Sequence, residues 1–180
     1  MLMLQLSKSL TNVPILSLRV GGPIAIAVEP IINPHNLKIL GWWCKSPGST
    51  VLHVLLVEDV RQVSPNGLAI NDDTDLTNPN ELVRHKEVLH THFELIGKDV
   101  KTKRGKLGKV SDYSYDSDSM LVIKLYVARP LTKIFSSEDT LIIDRSQIIE
   151  ITDHYILVKD TDVKVTEEEI APAAEAAPAA

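Results

Sequence analysis

The chain has 180 residues, 44% hydrophobic and 24% charged, with a net charge of -5; this is ordinary globular composition, enough for one large domain or two small ones, and it argues against a globally basic nucleic-acid binder. Aromatic residues make up 4%, so the core must be aliphatic, which suits β-sheet packing better than ring-stacking recognition of bases. The single cysteine, Cys44, excludes an internal disulfide and a thiolate-rich metal site and points to a reducing cytosol.

At the start of the chain, Met1 to Lys8 is apolar but has no basic residue ahead of it and is broken by Gln5 and Lys8, which argues against a signal peptide. No stretch reaches the roughly 18 apolar residues of a membrane span. Leu2, Leu4 and Leu6 alternate as in a first strand, and Leu16-Ser17-Leu18-Arg19-Val20-Gly21-Gly22-Pro23 carries a hairpin signal. Here an internal repeat begins. An offset of 84 sets Gly21 on Gly105, Ile26 on Val110, Leu37 on Leu121, Ile39 on Ile123 and Trp43 on Val127; after a four-residue insertion an offset of 88 sets Val60 on Ile148, Val63 on Ile151, Leu68 on Ile156 and Ile70 on Val158. The first copy, residues 1–76, departs from the second at Ile24, where the second hairpin glycine is missing, and at Gly22-Pro23. In this alignment Trp43 faces the core and its neighbour Trp42 faces out, since adjacent strand residues point to opposite sides. An outward Trp42 is a candidate contact for the other unit, a second copy or a partner.

Residues 77–94 read as a connector helix, with Asn78 as cap, Pro79 at the first helical position, and Leu82, His85 and Leu89 on one face. The second unit, residues 95–163, is the most regular. Thr102 to Val110 places Gly105 and Gly108 three apart, one for a tight turn and one for close backbone approach. In the strand from Met120 to Val127 the residues Leu121, Ile123, Leu125 and Val127 share a face, and Leu141 to Ile143, Ile148 to Ile151 and Tyr155 to Val158 complete a small barrel or sandwich. Residues 164–180 are a Glu/Ala/Pro tail that cannot bury enough surface to order itself.

Leu95-Ile96-Gly97-Lys98-Asp99-Val100, the Gly105-x-x-Gly108-Lys109-Val110 hairpin and the closing Ile148-x-x-Ile151-x-x-x-x-Ile156-x-Val158 together resemble the PRC-barrel, the domain named from the photosynthetic reaction-centre H subunit. The resemblance covers about 65 residues of the chain and rests on hydrophobic spacing more than on identities. It implies two small PRC-barrel-like β-barrels in tandem in an all-β protein with one short connector helix. It also implies a protein-docking role: members mostly act as docking barrels, and one fused form, a ribosome maturation factor, uses the barrel on a ribosomal protein. Ribosome maturation or RNA processing is therefore an expectation by family analogy. The partner would be a protein, a ribosomal protein or a second copy of the chain, and the setting cytoplasmic.

Two local features compete with that reading. Lys98, Lys101, Lys103, Arg104, Lys106 and Lys109 crowd one hairpin against Asp99 alone. As a functional patch, Lys101, Lys103, Arg104, Lys106 and Lys109 would hold RNA phosphates or an acidic protein surface; as a solvated edge they would only keep the hairpin soluble. No aromatic is interleaved for base stacking, which favours the second alternative. The tail's Glu167, Glu168, Glu169 and Glu175 are within linker reach of the same hairpin. A small-molecule or anion sensor, with its pocket in one barrel, is a third class.

Catalytic signatures are absent from the sequence. There is no G-x-S-x-G elbow, no phosphate-cradling G-x-x-x-x-G-K-[ST] loop and no H-E-x-x-H, so the reading is of a protein that is not an enzyme and needs no cofactor or metal. His85, His90 and His92 are five and two residues apart, which does not put a ligand pair on one helical face. His35, His53 and His154 have no companions, and Asp112, Asp116 and Asp118 suit local turn bonds better than catalysis.

Overall fold

Short runs rich in branched aliphatic residues, broken by Gly, Pro, Asn and Asp, cannot sustain helices and pair as strands. The computed structural model describes residues 3–129 and 140–160, and within them the protein is mostly β, with two sheets, one of them a half-barrel, and one short α-helix. The expected tail, 164–180, lies outside the described residues. β1 (Leu4–Leu6) precedes β2 (Val13–Ser17), β3 (Gly22–Ile32), β4 (Ile39–Lys45), β5 (Leu52–Leu56), β6 (Val60–Ser64) and β7 (Gly67–Ile70). After α1 (Lys86–Thr91) come β8 (Asp99–Thr102), β9 (Gly105–Asp116), β10 (Leu121–Ala128), β11 (Thr140–Asp144), β12 (Ile148–Ile151) and β13 (Tyr155–Val158). No described helix is long and apolar enough to cross a membrane.

The two strand sets have one topology. One sheet runs β5-β4-β3-β2-β7-β6 and the other β11-β10-β9-β8-β13-β12, with β1 added against β9. The parallel pair β2–β7 is matched by the parallel pair β8–β13. Each set also places a 3-10 turn directly before its fifth strand, at Val57–Asp59 and at Arg145–Gln147. The repeat read from hydrophobic pattern is thus a repeat of fold.

Its register differs by one residue from the expected alignment in the first half. Ser17 pairs with Gly22 as Thr102 pairs with Gly105, and Ile15 pairs with Ala25 as Val100 pairs with Gly108. Ala27 pairs with Cys44 as Val110 pairs with Val127. The offset is therefore 83, from Ala27 to Val110, and it becomes 88 at Val60 and Ile148, which pair with Ile70 and Val158. The apparent loss of the second hairpin glycine at Ile24 disappears, because the counterpart of Gly108 is the small residue Ala25.

A bulge shared by the two repeats leaves that offset unchanged but decides which side chains face the core. In β4 the ladder skips Leu40, between the pairs Ile39–Ile32 and Gly41–Ile31, and in β10 it skips Ile123, between Val122–Tyr115 and Lys124–Ser114. One extra residue reverses the side-chain alternation beyond it. Ile39, Trp42 and Cys44 consequently face the core, as Val122, Leu125 and Val127 do in the other sheet. Trp42 is 1% exposed, so the expected outward orientation is corrected, and Leu121 and Ile123 are only partly buried instead of sharing the face of Leu125 and Val127.

The sheets bury a single continuous cluster that includes Ile15, Trp42, Leu55 and Ile70 from one and Val100, Leu125, Ile143 and Ile156 from the other. They are also tied by reciprocal backbone bonds: Ile39 N donates to Met120 O at 2.8 Å and Val122 N to Leu37 O at 3.1 Å, around the Lys38–Leu121 bridge. Leu37 and its counterpart Met120 are both left-handed, at φ 52° and 55°.

The segments leading into the two sheets correspond as well, and they are exchanged. Leu10 and Leu95 are both buried in the common core, and Asn12 and Gly97 both turn through positive φ. The first leader lays β1 along β9, with Leu4 opposite Asp116 and Leu6 opposite Ser114. The second brings α1 over β3, packing Leu89 with Ile31, Trp43, Val54 and Leu56. Residues 4–6, expected at the start of the first unit, therefore belong to the second sheet. The connector is capped as expected, with the Asn78 side chain accepting from Asn80 N at 3.0 Å and Pro79 at the first position. It is not one helix: two 3-10 turns, Pro79–Glu81 and Val83–His85, precede α1.

Candidate functional site

The basic hairpin forms as read. Lys103-Arg104 make the turn between the paired residues Thr102 and Gly105, and the Thr102 hydroxyl accepts from Arg104 N at 3.2 Å. Its cations, however, are engaged locally. Lys101 lies 3.3 Å from the centre of the Tyr155 ring, Arg104 pairs with Asp160, and Lys106 and Lys109 reach Asp99 at 2.8 and 3.9 Å. Lys98 donates to Asp153 O at 2.7 Å, over the Phe93 ring. The Lys106 bond, with its charge and that of Lys109, holds the Asp99 carboxyl below its ordinary range. Of the six cations, Lys103 alone has no partner among the described residues, so the hairpin does not present five uncommitted charges to a phosphate backbone.

Trp42 and its neighbours belong to the interior. Its indole N–H has no hydrogen-bond partner among the described residues, and the adjacent Cys44 is fully buried, its thiol donating to Trp42 O at 3.3 Å. Desolvation pushes that thiol up to about 12, far from the thiolate needed for reactivity. Cys44 is therefore expected to resist Ellman's reagent at pH 8 in the native protein and to react only as fast as the chain unfolds. Labelling followed through a urea titration checks this, and prompt labelling without denaturant would contradict it.

The remaining sequence candidates do not assemble a catalytic or metal centre. No group of three or more potential metal ligands occurs among the described residues. His92 ends α1 in the left-handed conformation and stacks on Trp43, ring centres 5.4 Å apart and planes 18° from parallel. Asp116 accepts from the Ser119 hydroxyl and amide, as a turn carboxylate should, and these bonds with that of Met3 N depress its pKa. Asp112 instead accepts from the Ser7 hydroxyl, across from the first leader.

Two other surface features distinguish the repeats. On the outer face of the first sheet, Pro14, Ile26, Lys45 and Leu52 are cross-strand neighbours in one row. All are exposed, Ile26 at 49% and Leu52 at 40%. The corresponding row in the second sheet is Asp99, Lys109, Ala128 and Thr140, three polar residues, two of them an ion pair, with Ala128 at the place of Lys45. The second feature is a cleft of about 300 Å³ where the exchanged leaders meet, bounded by β3, Trp43, Tyr113 and the His92–Ile96 segment.

No known protein family and no curated protein matches this chain. Its candidate sites therefore rest on geometry alone. Ile26, Leu52, Glu29 and Tyr113 were not singled out by sequence. The row could have been found by comparing the repeats position by position at the correct offset, since Ile26 then falls opposite Lys109. The cleft had no signal of its own, because it depends on the exchange of the leaders.

Proposed function

We propose that the protein is a non-enzymatic docking module of the PRC-barrel kind, acting in the cytoplasm and engaging a protein partner through the outer face of its first sheet. The observation that carries this reading is the row Pro14, Ile26, Lys45 and Leu52, exposed and apolar at every position but Lys45, where its repeat counterpart Asp99, Lys109, Ala128 and Thr140 is polar at every position but Ala128 and holds an ion pair. Two sheets with one topology need no difference in their outer faces for folding, and exposed apolar side chains gathered on one face mark interaction surfaces. Leu18 and Val20, 64% and 60% exposed on the β2–β3 turn, extend the apolar character of the same unit. The kinship is supported by the quoted motif residues taking structural places: Gly105 in the turn, Gly108 under the β10 backbone, and Ile156 and Val158 in the core.

The test is capture of partners from native cytosol by the wild type, by Ile26→Glu with Leu52→Glu, and by Lys103→Glu. The docking reading expects a protein captured by the wild type to survive nuclease, to be retained by Lys103→Glu and to be reduced at least tenfold by the double change. Nuclease-sensitive capture abolished by Lys103→Glu would instead assign function to the hairpin.

A further inference from the structure

The repeat makes one pair of contacts comparable across the two halves. Ser7 of the first leader corresponds to His92 of the second, by the same offset that matches Leu10 with Leu95. Asp112 of β9 corresponds to Glu29 of β3, by the offset that matches Ala27 with Val110. In one half the pair is closed, with the Ser7 hydroxyl donating to the Asp112 carboxylate. In the other it is open: His92 is turned onto the Trp43 ring, and no described residue pairs with Glu29. Both line the 300 Å³ cleft.

The other walls of the cleft fit a definite chemistry. Trp43 and His92 present a stacked pair of rings, and Phe93 a third. Tyr113, 2% exposed, contributes to the lining, and its hydroxyl has no hydrogen-bond partner among the described residues. A second carboxylate, Glu94, stands on the same lining, which includes no lysine or arginine. Lys98, close by over the Phe93 ring, is bonded to the Asp153 carbonyl. Apolar and aromatic walls with a few convergent polar groups are the usual make-up of a ligand site, and ring faces with carboxylates attract ammonium groups.

We propose that this cleft binds a small organic cation, a primary ammonium on an apolar or aromatic stem. The ammonium pairs with Glu29, with the Tyr113 hydroxyl as a further acceptor, and the stem lies against Trp43 and His92. The cleft lies on the same outer face as the Pro14, Ile26, Lys45 and Leu52 row, since Trp43 and Lys45 are two apart in β4, but it is lined by other residues, so neither reading depends on the other. An ammonium can come from a free amine or from the lysine side chain of a polypeptide, and the two sources are told apart by probe.

The experiment titrates the full chain with 2-phenylethylamine, with Nα-acetyl-lysine methylamide, and with 3-phenylpropionate as the anion of matched shape, read by calorimetry and by tryptophan fluorescence. At least one amine is expected to saturate, with the stronger naming the source, while 3-phenylpropionate binds at least about tenfold more weakly, the worth of one charge-assisted hydrogen bond. Glu29 is exposed, so Glu29→Gln should fold normally and weaken the amine by about the same factor. Failure of both amines to bind, equal binding of 3-phenylpropionate, or unchanged affinity in Glu29→Gln would each overturn the assignment.

Discussion

Trp42→Ala is expected to destabilise the protein by about 3–5 kcal/mol, the range for emptying a large buried aromatic site. Trp43→Ala should lose roughly half as much. The two residues are adjacent, and both are buried by a simple measure, at 1% and 8% exposure, but they fill different spaces. Trp42 sits in the continuous cluster shared by both sheets, among side chains fixed by the ladders on either side. Trp43 lies in the smaller cluster under α1, whose other members are Ile31, Val54, Leu56 and Leu89. A six-residue helix can settle into a vacancy beneath it more readily than paired strands can, and the cost of a cavity falls as its walls collapse. Trp42→Phe is the informative conservative change. It removes the indole N–H that has no partner among the described residues, a group that itself costs about 1–3 kcal/mol when buried unsatisfied, so its net effect should be well below that of alanine. Urea denaturation of the three variants measures all of this. Equal losses for the two alanine variants would mean that the clusters behave as one.

The same pair shows how far the sequence could be read. Period-two hydrophobicity and turn residues located the strands, and a repeat of hydrophobic pattern anticipated a repeat of topology, because pattern and fold share the same physical cause. What failed was parity. Between Ile39 and Trp43 an unbroken strand puts both residues on one face; the bulge at Leu40 gives that face to Trp42. A bulge has no side-chain signature of its own here, and one residue of slip is enough to invert every inference about what points out. The offset of 88 in the later strands needed no such correction, because Val60 and Leu68 stand on opposite arms of a hairpin whose register the repeat itself reproduces. The basic hairpin was legible as a place but not as a surface, since its engagement by Tyr155 and Asp160 depends on strands far along the chain. The cleft was invisible for a related reason. Ser7 and Glu94 are brought to one wall only because each leader packs against the other unit's long strand.

Gly108→Ala is expected to cost about 3 kcal/mol or more, at the upper end of the penalties for overpacking, although it adds one methyl group. A Cβ at this position would lie 2.0 Å from the carbonyl oxygen of Ala128, 2.9 Å from its carbon and 3.1 Å from Val127 Cγ1. The first two are backbone atoms of β10 and cannot rotate away. Relief requires β9 and β10 to separate where Lys109 pairs with Ala128 and Val110 with Val127, and β9 also carries β8 along one stretch and β1 along another. A displacement there is therefore felt by every strand that holds the second sheet to the first leader. Gly105→Ala provides the contrast. Nothing lies within 4 Å of its would-be Cβ, and the strain comes only from its φ of 157°, so a loss of about 1 kcal/mol is expected. The first repeat supplies a second contrast, because it already carries Ala25, 3% exposed, at the position of Gly108, and Ala25→Gly should cost only about 1 kcal/mol through lost burial and added chain freedom. Thermal or urea unfolding of the three variants decides the matter: if Gly108→Ala is no worse than Gly105→Ala, the close approach of β9 to β10 is not what requires glycine.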